Sequence, residues 1–243
     1  MTSYLRDLKT ELENCGLAAP IFAVTSQGGL VDLDLMAESP ILSLNSGPSM
    51  APVAGKHFAQ LEKDDIAIVT DAGGTTFDVS LVRDGEIPRT RETWIGPRYE
   101  GNLTGFPSVD VKSLGAGGGS IASMELGRLL KVGPESSGSK PGPICYGLGG
   151  KNPTVTDATV LLGYIDPAFF LGGKMNLSVS STQTIFKEKI ADPLGISTEE
   201  AALAVLELAT EQMVNAIEDI TVKQGIDPSD AVLIAGGGAA GFN

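Results

Sequence analysis

The sequence is poor in the residues that build metal and redox centres. Cys15 and Cys145 are its two cysteines, far apart and without C-x-x-C spacing, and His57 is its one histidine. That usage argues against a structural zinc site or a disulfide framework and suits a reducing compartment. Nor is there a lysine or arginine cluster: 30 acidic residues face 17 basic ones, for a net charge of −13 and a pI near 4.4. Nucleic acid and anionic membrane are therefore not expected as partners. The acidity reads as a solvated surface and does not by itself indicate a metal site. No run approaches the roughly 18 apolar residues of a membrane helix, and no basic-then-apolar leader opens the sequence. The expected location is the cytoplasm.

What is present is enough for a sizeable core. At 243 residues the chain has room for one large domain or two small ones. Its most informative stretch runs from Ile66 to Val82, where two β-branched, apolar segments flank Asp71-Ala72-Gly73-Gly74-Thr75-Thr76. The spacing predicts strand, turn, strand, with Phe77, Val79 and Leu81 alternating against Asp78 and Ser80 as in a half-buried strand. Gly73 and Gly74 allow positive φ and close approach, so the turn's amides can converge on an anion. Thr75 and Thr76 add hydroxyls. Asp71, at a strand end beside a phosphate, suits Mg²⁺, which keeps most of its waters and takes only one or two protein carboxylates.

The pattern Asp71-x-Gly73-Gly74-Thr75-Thr76-x-Asp78 resembles a phosphate loop of the actin-like ATPase superfamily. Further segments narrow the resemblance to the hydantoinase A and oxoprolinase family: Ser46-Gly47-Pro48, Gly115 to Ser120, Val132-Gly133-Pro134, Pro141 to Gly147 and Pro153 to Ala158. They follow the family's order over roughly residues 20 to 175. The fold implied is α/β, a ribonuclease-H-like lobe formed by residues 61–95 and 176–243, with a Gly/Pro-rich insertion at 96–175 and a partial segment at 1–60. Family members are much longer and open with another phosphate loop, so a central piece of a longer subunit is expected.

The resemblance also implies a chemistry. Asp71 would act as a catalytic metal-holding carboxylate with Asp78 as a second metal group, and Gly73, Gly74, Thr75 and Thr76 would hold phosphates of ATP. Gly236, Gly237 and Gly238 would lie on the nucleotide side. Gly117, Gly118, Gly119 and Ser120 are candidates for a second anion or substrate loop through exposed amides; a bulge or close backbone packing is the alternative. Asp157 is either a catalytic carboxylate or a helix cap, with Thr156 as another possible cap. The expected activity is ATP-dependent opening of a cyclic amide such as a hydantoin or oxoproline, with Mg²⁺, beside a second subunit of hydantoinase B type. Two alternatives stand: a subunit of an ATP-dependent acetone or acetophenone carboxylase acting on a ketone, and a non-catalytic nucleotide-binding module.

Other elements follow from local signals. Leu5, Leu8 and Leu12 predict an amphipathic helix over 3–15 ending at Gly16, and Pro20 to Val24 a short buried strand followed by a Gln27-Gly28-Gly29 turn. Gln27, Asn45 and Ser46 are binding candidates through the resemblance, with ordinary turn chemistry the alternative. Met50 to Leu61 predicts a helix, its start interrupted by Pro52. It carries His57, which has no orienting carboxylate or nucleophile at useful spacing and reads as a surface or partly packed residue. Asp84-Gly85 signals a hairpin, Val109 to Leu114 a strand, Leu126 to Leu129 a short hairpin, and 133–150 irregular chain holding Cys145 as a structural thiol. Ser181 to Ile190 reads as a helix, and Ser197 to Glu200 as a capping box opening a long one that ends at Gly225. Ala231 to Ala235 reads as a buried strand.

Overall fold

The computed structural model describes residues 1–96 and 99–242. Helix α1 (Thr2–Asn14) opens the chain; the hairpin β1 (Phe22–Val24) and β2 (Leu30–Asp32) follows, then α2 (Leu33–Glu38) and α3 (Met50–Glu62). Strands β3 (Ala67–Ala72) and β4 (Phe77–Val82) flank the Gly73–Thr76 turn. Four short strands come next: β5 (Arg89–Thr90), β6 (Trp94–Ile95), β7 (Asn102–Leu103) and β8 (Ser108–Val109). Strand β9 (Val111–Leu114) precedes the hairpin β10 (Ser120–Glu125) and β11 (Leu129–Ser136). Helices α4 (Val155–Leu161), α5 (Val179–Phe186), α6 (Asp192–Leu194) and α7 (Thr198–Gln224) then lead to β12 (Val232–Gly236).

The central sheet has the order β12-β3-β4-β9. Interior position explains why β4 is buried at all six residues instead of alternating, so that Asp78 and Ser80 are enclosed with Phe77 and Leu81. The edge strand β12 was expected to be buried and is not: Leu233 is exposed, while Val232 and Ile234 pack on Ala59, Ala67, Val69 and Val82. Exposure likewise corrects β1, whose Phe22 is exposed because its sheet has only two strands.

Two compact units divide the chain. The first comprises Met1–Val69, Ser80–Val111 and Ser229–Ile234. Its cores gather Leu5, Leu33 and Met36 in one cluster and Ala59, Val69 and Val82 in another. Pro52 does not interrupt α3, because it sits in the first turn, where no intrahelical N–H is needed. Gly55 lets α3 close on Val69, whose Cγ2 would lie 2.3 Å from an added Cβ. The Asp84-Gly85 hairpin forms as expected, both residues having positive φ (52° and 69°) and Arg83 bridging Glu86.

The second unit comprises Thr70–Val79, Lys112–Pro228 and the stretch from Ala235 on. Its core joins Ala122 and Val132 of the β10–β11 hairpin to Val155 and Ala158 of α4, Phe186 of α5, and Ala201, Val205 and Ala209 of α7. The α7 capping box forms, with Ser197 Oγ accepting from the Glu200 amide, and Gly225 closes the helix at φ 65°. The hairpin is longer than the sequence suggested: β11 continues through Gly133-Pro134 to Ser136, a run whose composition reads as irregular. Likewise α5 is followed by a π-helical turn over Lys187–Ala191.

Candidate functional site

Strand β3 delivers Asp71 half-buried at its end, and the chain then turns through Gly73 to Thr76. The Gly73 amide donates to Thr76 O at 2.9 Å, which closes the turn. Gly74 and Thr75 are exposed at its tip, and among the described residues their amides form no hydrogen bond. That leaves two neighbouring backbone donors without a protein partner among the described residues. Asp78 is the other unsatisfied group. It is 8% exposed, and its Oδ1 has no hydrogen-bond partner among the described residues. Burial raises its pKa and the Asp71 charge adds to this, while hydrogen bonds from Ser113 and Thr76 pull it back. A buried carboxylate left half-satisfied beside a second one is the kind of arrangement a cation would relieve.

The second glycine loop behaves differently. Gly118 N donates to Gly73 O at 3.0 Å and Gly119 N to Gly74 O at 2.6 Å, while Ser120 N donates to Gly117 O at 2.9 Å. An added Cβ at Gly117 would meet Gly73 O and Thr75 N at 2.7 Å, and at Gly119 it would meet Gly74 O at 2.7 Å. All four residues from Gly117 to Ser120 are buried. Their amides are spent on the first turn or within the loop, so the expected exposed-amide anion loop is corrected to a backbone brace. Glycine is needed there for close approach.

Behind the brace lies α4. Thr156 donates to Gly118 O through its amide (2.7 Å) and its hydroxyl (2.8 Å). Thr154, not Thr156 or Asp157, is the N-cap, and Asp157 completes the capping box from the third helical position. The Asp157 carboxylate is fully buried and accepts from the amides of Ile144, Cys145 and Thr154 and from the Thr154 hydroxyl, at 2.8–3.1 Å. Burial raises its pKa, while those donors lower it. Of the two readings open for Asp157, its surroundings match the cap, because both oxygens are occupied by the protein. Cys145 is buried against it, and burial followed by the Asp157 charge pushes the thiol far up. It is a structural thiol.

Gly237 comes against Asp71. At φ 93° an added Cβ would lie 2.4 Å from both Asp71 Oδ1 and Ala72 O, and Ala239 N donates to Ala72 O at 2.8 Å. Gly236 is half-buried behind it and Gly238 is exposed with open space around it. The second unit thus brings together the Gly73–Thr76 turn, its brace, Thr156 and Gly237. Gln27, Asn45, Ser46 and His57 belong to the first unit. Gln27 lies in the β1–β2 turn, where Gly28 N donates to Thr25 O; Asn45 has φ 56°, and Ser46 N donates to Ser43 O. His57 is exposed, edge-on to Phe58. Two residues that matter to this geometry, Thr156 as a brace anchor and Tyr146, were not singled out for these places. Tyr146 lies inside one of the motif segments, and that was the available signal.

With Asp71, the Gly-Gly-Thr-Thr turn and Gly237 assembled in one unit, the comparison with known proteins is direct: the Hydantoinase/oxoprolinase family model matches residues 1–243. The chain belongs to the hydantoinase/oxoprolinase family. Over its whole length it is 40% identical to the caprolactamase subunit alpha of Pseudomonas jessenii, of which it covers 34%. Two solved structures share its fold. The crystal structure of the ATP-dependent caprolactamase from Pseudomonas jessenii aligns over 98% of this chain and 34% of that one, at 40% identity and TM-score 0.83. Nucleotide-free acetone carboxylase, from work on ATP-dependent acetone carboxylation, aligns over 97% and 32%, at 28% identity and TM-score 0.85. The chain spans about a third of the length of each. The mixed α/β architecture is that of an actin-like ATPase lobe, as the sequence predicts.

Proposed function

We propose that this chain supplies the phosphate-binding half-site of an enzyme that uses ATP to open cyclic amides of the hydantoin, oxoproline or lactam kind. The observation that carries the reading is the exposed Gly74–Thr75 tip, whose open amides lie in the turn between Asp71 at the end of β3 and the half-satisfied Asp78 of β4. Kinship with an ATP-dependent caprolactamase supplies the reaction class. Cyclic amides resist direct hydrolysis; phosphorylating the amide oxygen makes the ring carbon electrophilic and gives it a leaving group. Catalysis of such a step is mostly positioning and charge neutralisation.

In this reading the amides of Gly74 and Thr75, with the Thr75 hydroxyl, hold phosphate oxygens. Gly73 gives the turn its shape, and Thr76 holds Asp78 by hydrogen bond. Gly236 to Gly238 pass on the nucleotide side, with Gly237 pressed on Asp71. Asp157 positions Thr156 and the brace. The unsatisfied Asp78 Oδ1 beside the Asp71 charge fits Mg²⁺, an ion that keeps most of its waters and takes one or two protein carboxylates. Asp71 and Asp78 would hold the ion, which would neutralise phosphate charge.

A second subunit of hydantoinase B type completes the assembly in this proposal. A ketone carboxylase reading is favoured by one observation, the TM-score of 0.85 to acetone carboxylase. The test is ATP turnover by the full-length protein with its neighbouring subunit. Stimulation by a cyclic amide, with ring opening in step with ADP release, supports the amide reading. Stimulation only by a ketone with bicarbonate replaces it with the carboxylase, and nucleotide binding without substrate-dependent turnover replaces both with a binding module.

A further inference from the structure

Beside the phosphate turn the second unit contains a cavity of about 260 Å³, lined among others by Gly74, Thr75, Gly138, Ser139, Tyr146 and Thr156. Its volume lies a little below the roughly 300–1,000 Å³ of pockets that enclose drug-sized ligands and is enough for a small ring. Among the described residues no acidic or basic side chain lines it. Tyr146 is held there by its ring, packed on Phe170 at 5.4 Å between centroids and against the backbone of Gly142. Among the described residues its hydroxyl makes no hydrogen bond, and burial, followed by the charges at Cys145 and Asp157, raises its pKa. The phenol therefore remains a neutral donor at any physiological pH. Tyr146, with that donor, lines the same space as Gly74 and Thr75 of the first turn.

We propose that this cavity receives the phosphoryl acceptor as an uncharged small ring, whose oxygen is hydrogen-bonded by the Tyr146 hydroxyl. The assignment rests on the phosphoryl-transfer reading given above. The acceptor's amide oxygen bonds to the terminal phosphorus of ATP as the bond from that phosphorus to the bridging oxygen breaks. ADP leaves with the electron pair, the ring N–H keeps its proton, and the phenol keeps its own. A ring bearing a carboxylate meets no side-chain counter-charge among the described lining residues, so a plain lactam is preferred over oxoproline.

The test is ATP turnover of the full-length protein with its neighbouring subunit, given a plain lactam, oxoproline, or a ketone with bicarbonate. Each is measured for the natural protein and for Tyr146→Phe, which keeps the ring and removes one hydroxyl. The expected result is preference for the lactam and a rise of roughly tenfold in its KM in Tyr146→Phe, with KM for ATP unchanged. A tenfold rise in the KM of a ketone, where only the ketone works, sinks the cyclic-amide reading and keeps the subsite. An unchanged acceptor KM, a raised KM for ATP, or a preference for oxoproline sinks the subsite and leaves the amide reading standing. If no acceptor stimulates turnover, both fall. Thermal unfolding of Tyr146→Phe at the natural temperature shows that a raised KM is not a folding defect.

Discussion

The two glycine-rich turns of the second unit have nearly the same composition and opposite physics. Gly73 to Thr76 ends in an exposed tip whose amides are open, and space remains around Gly74. Gly117 to Ser120 is buried, its amides donate to the first turn or within its own, and Gly117 and Gly119 leave no room for a Cβ. The carboxylates divide the same way: Asp78 is buried with an oxygen unsatisfied, whereas Asp157 is buried and held by four donors. One turn with its acid is left incomplete by the protein and the other is completed by it. An incomplete buried group costs stability and is retained where a ligand completes it.

Substitutions sharpen that contrast, the largest effect first. Gly117→Ala should cost about 3 kcal/mol in chemical unfolding, because its Cβ would meet backbone atoms that cannot rotate away. Asp157→Asn should cost about 2–3 kcal/mol, since an amide NH₂ would face N–H donors. Asp78→Asn should instead leave the ligand-free protein more stable at neutral pH by on the order of 1 kcal/mol, while abolishing stabilisation by Mg²⁺-nucleotide. Gly74→Ala should change stability by less than about 0.5 kcal/mol. Equal losses at Gly74 and Gly117 would erase the distinction between the turns.

Acid titration adds the smallest effect and an internal check of sign. Asp219 is held down to about 2 by hydrogen bonds from Lys112 and Lys223. A lowered folded pKa gives stability that is present above the ordinary 3.8 and is lost as pH falls towards 2. Its side chain is 41% exposed, so the effect should be slight and should shrink with salt. Asp78 is shifted the other way, so its contribution is full below 3.8 and is lost as pH rises through the folded value. Unfolding of Asp219→Asn and Asp78→Asn followed against pH should therefore differ from the natural protein with opposite slopes.

The sequence made some of this legible and hid the rest for physical reasons. Strand, turn and strand around Asp71 were readable because β-branched runs and a Gly-Gly pair are local signals, as were the Ser197–Glu200 capping box and the Asp84-Gly85 turn. The β10–β11 hairpin was not, since Gly133 and Pro134 read as breakers while β11 continues past them. Burial of β1 and β12 misread because edge position is not written in a short apolar run. The role of Gly117 to Ser120 was hidden most deeply. Glycine that opens a backbone to ligand and glycine that admits another backbone look identical until the partner strand is in place. Asp157 was read as either cap or catalyst for the same reason, and the four donors around it come from three separate positions.

The most direct test of the central claim is thermal unfolding of the full-length protein with and without Mg²⁺ and ADP or ATP, for the natural chain, Asp71→Ala and Gly117→Ala. Ligand at about a hundred times its dissociation constant should stabilise the natural protein by about 2.7 kcal/mol. Asp71→Ala should lose that increment while keeping its ligand-free stability; Gly117→Ala should lose ligand-free stability. An increment that survives Asp71→Ala would contradict the account, because the open turn would then not be where the phosphates and their metal are held.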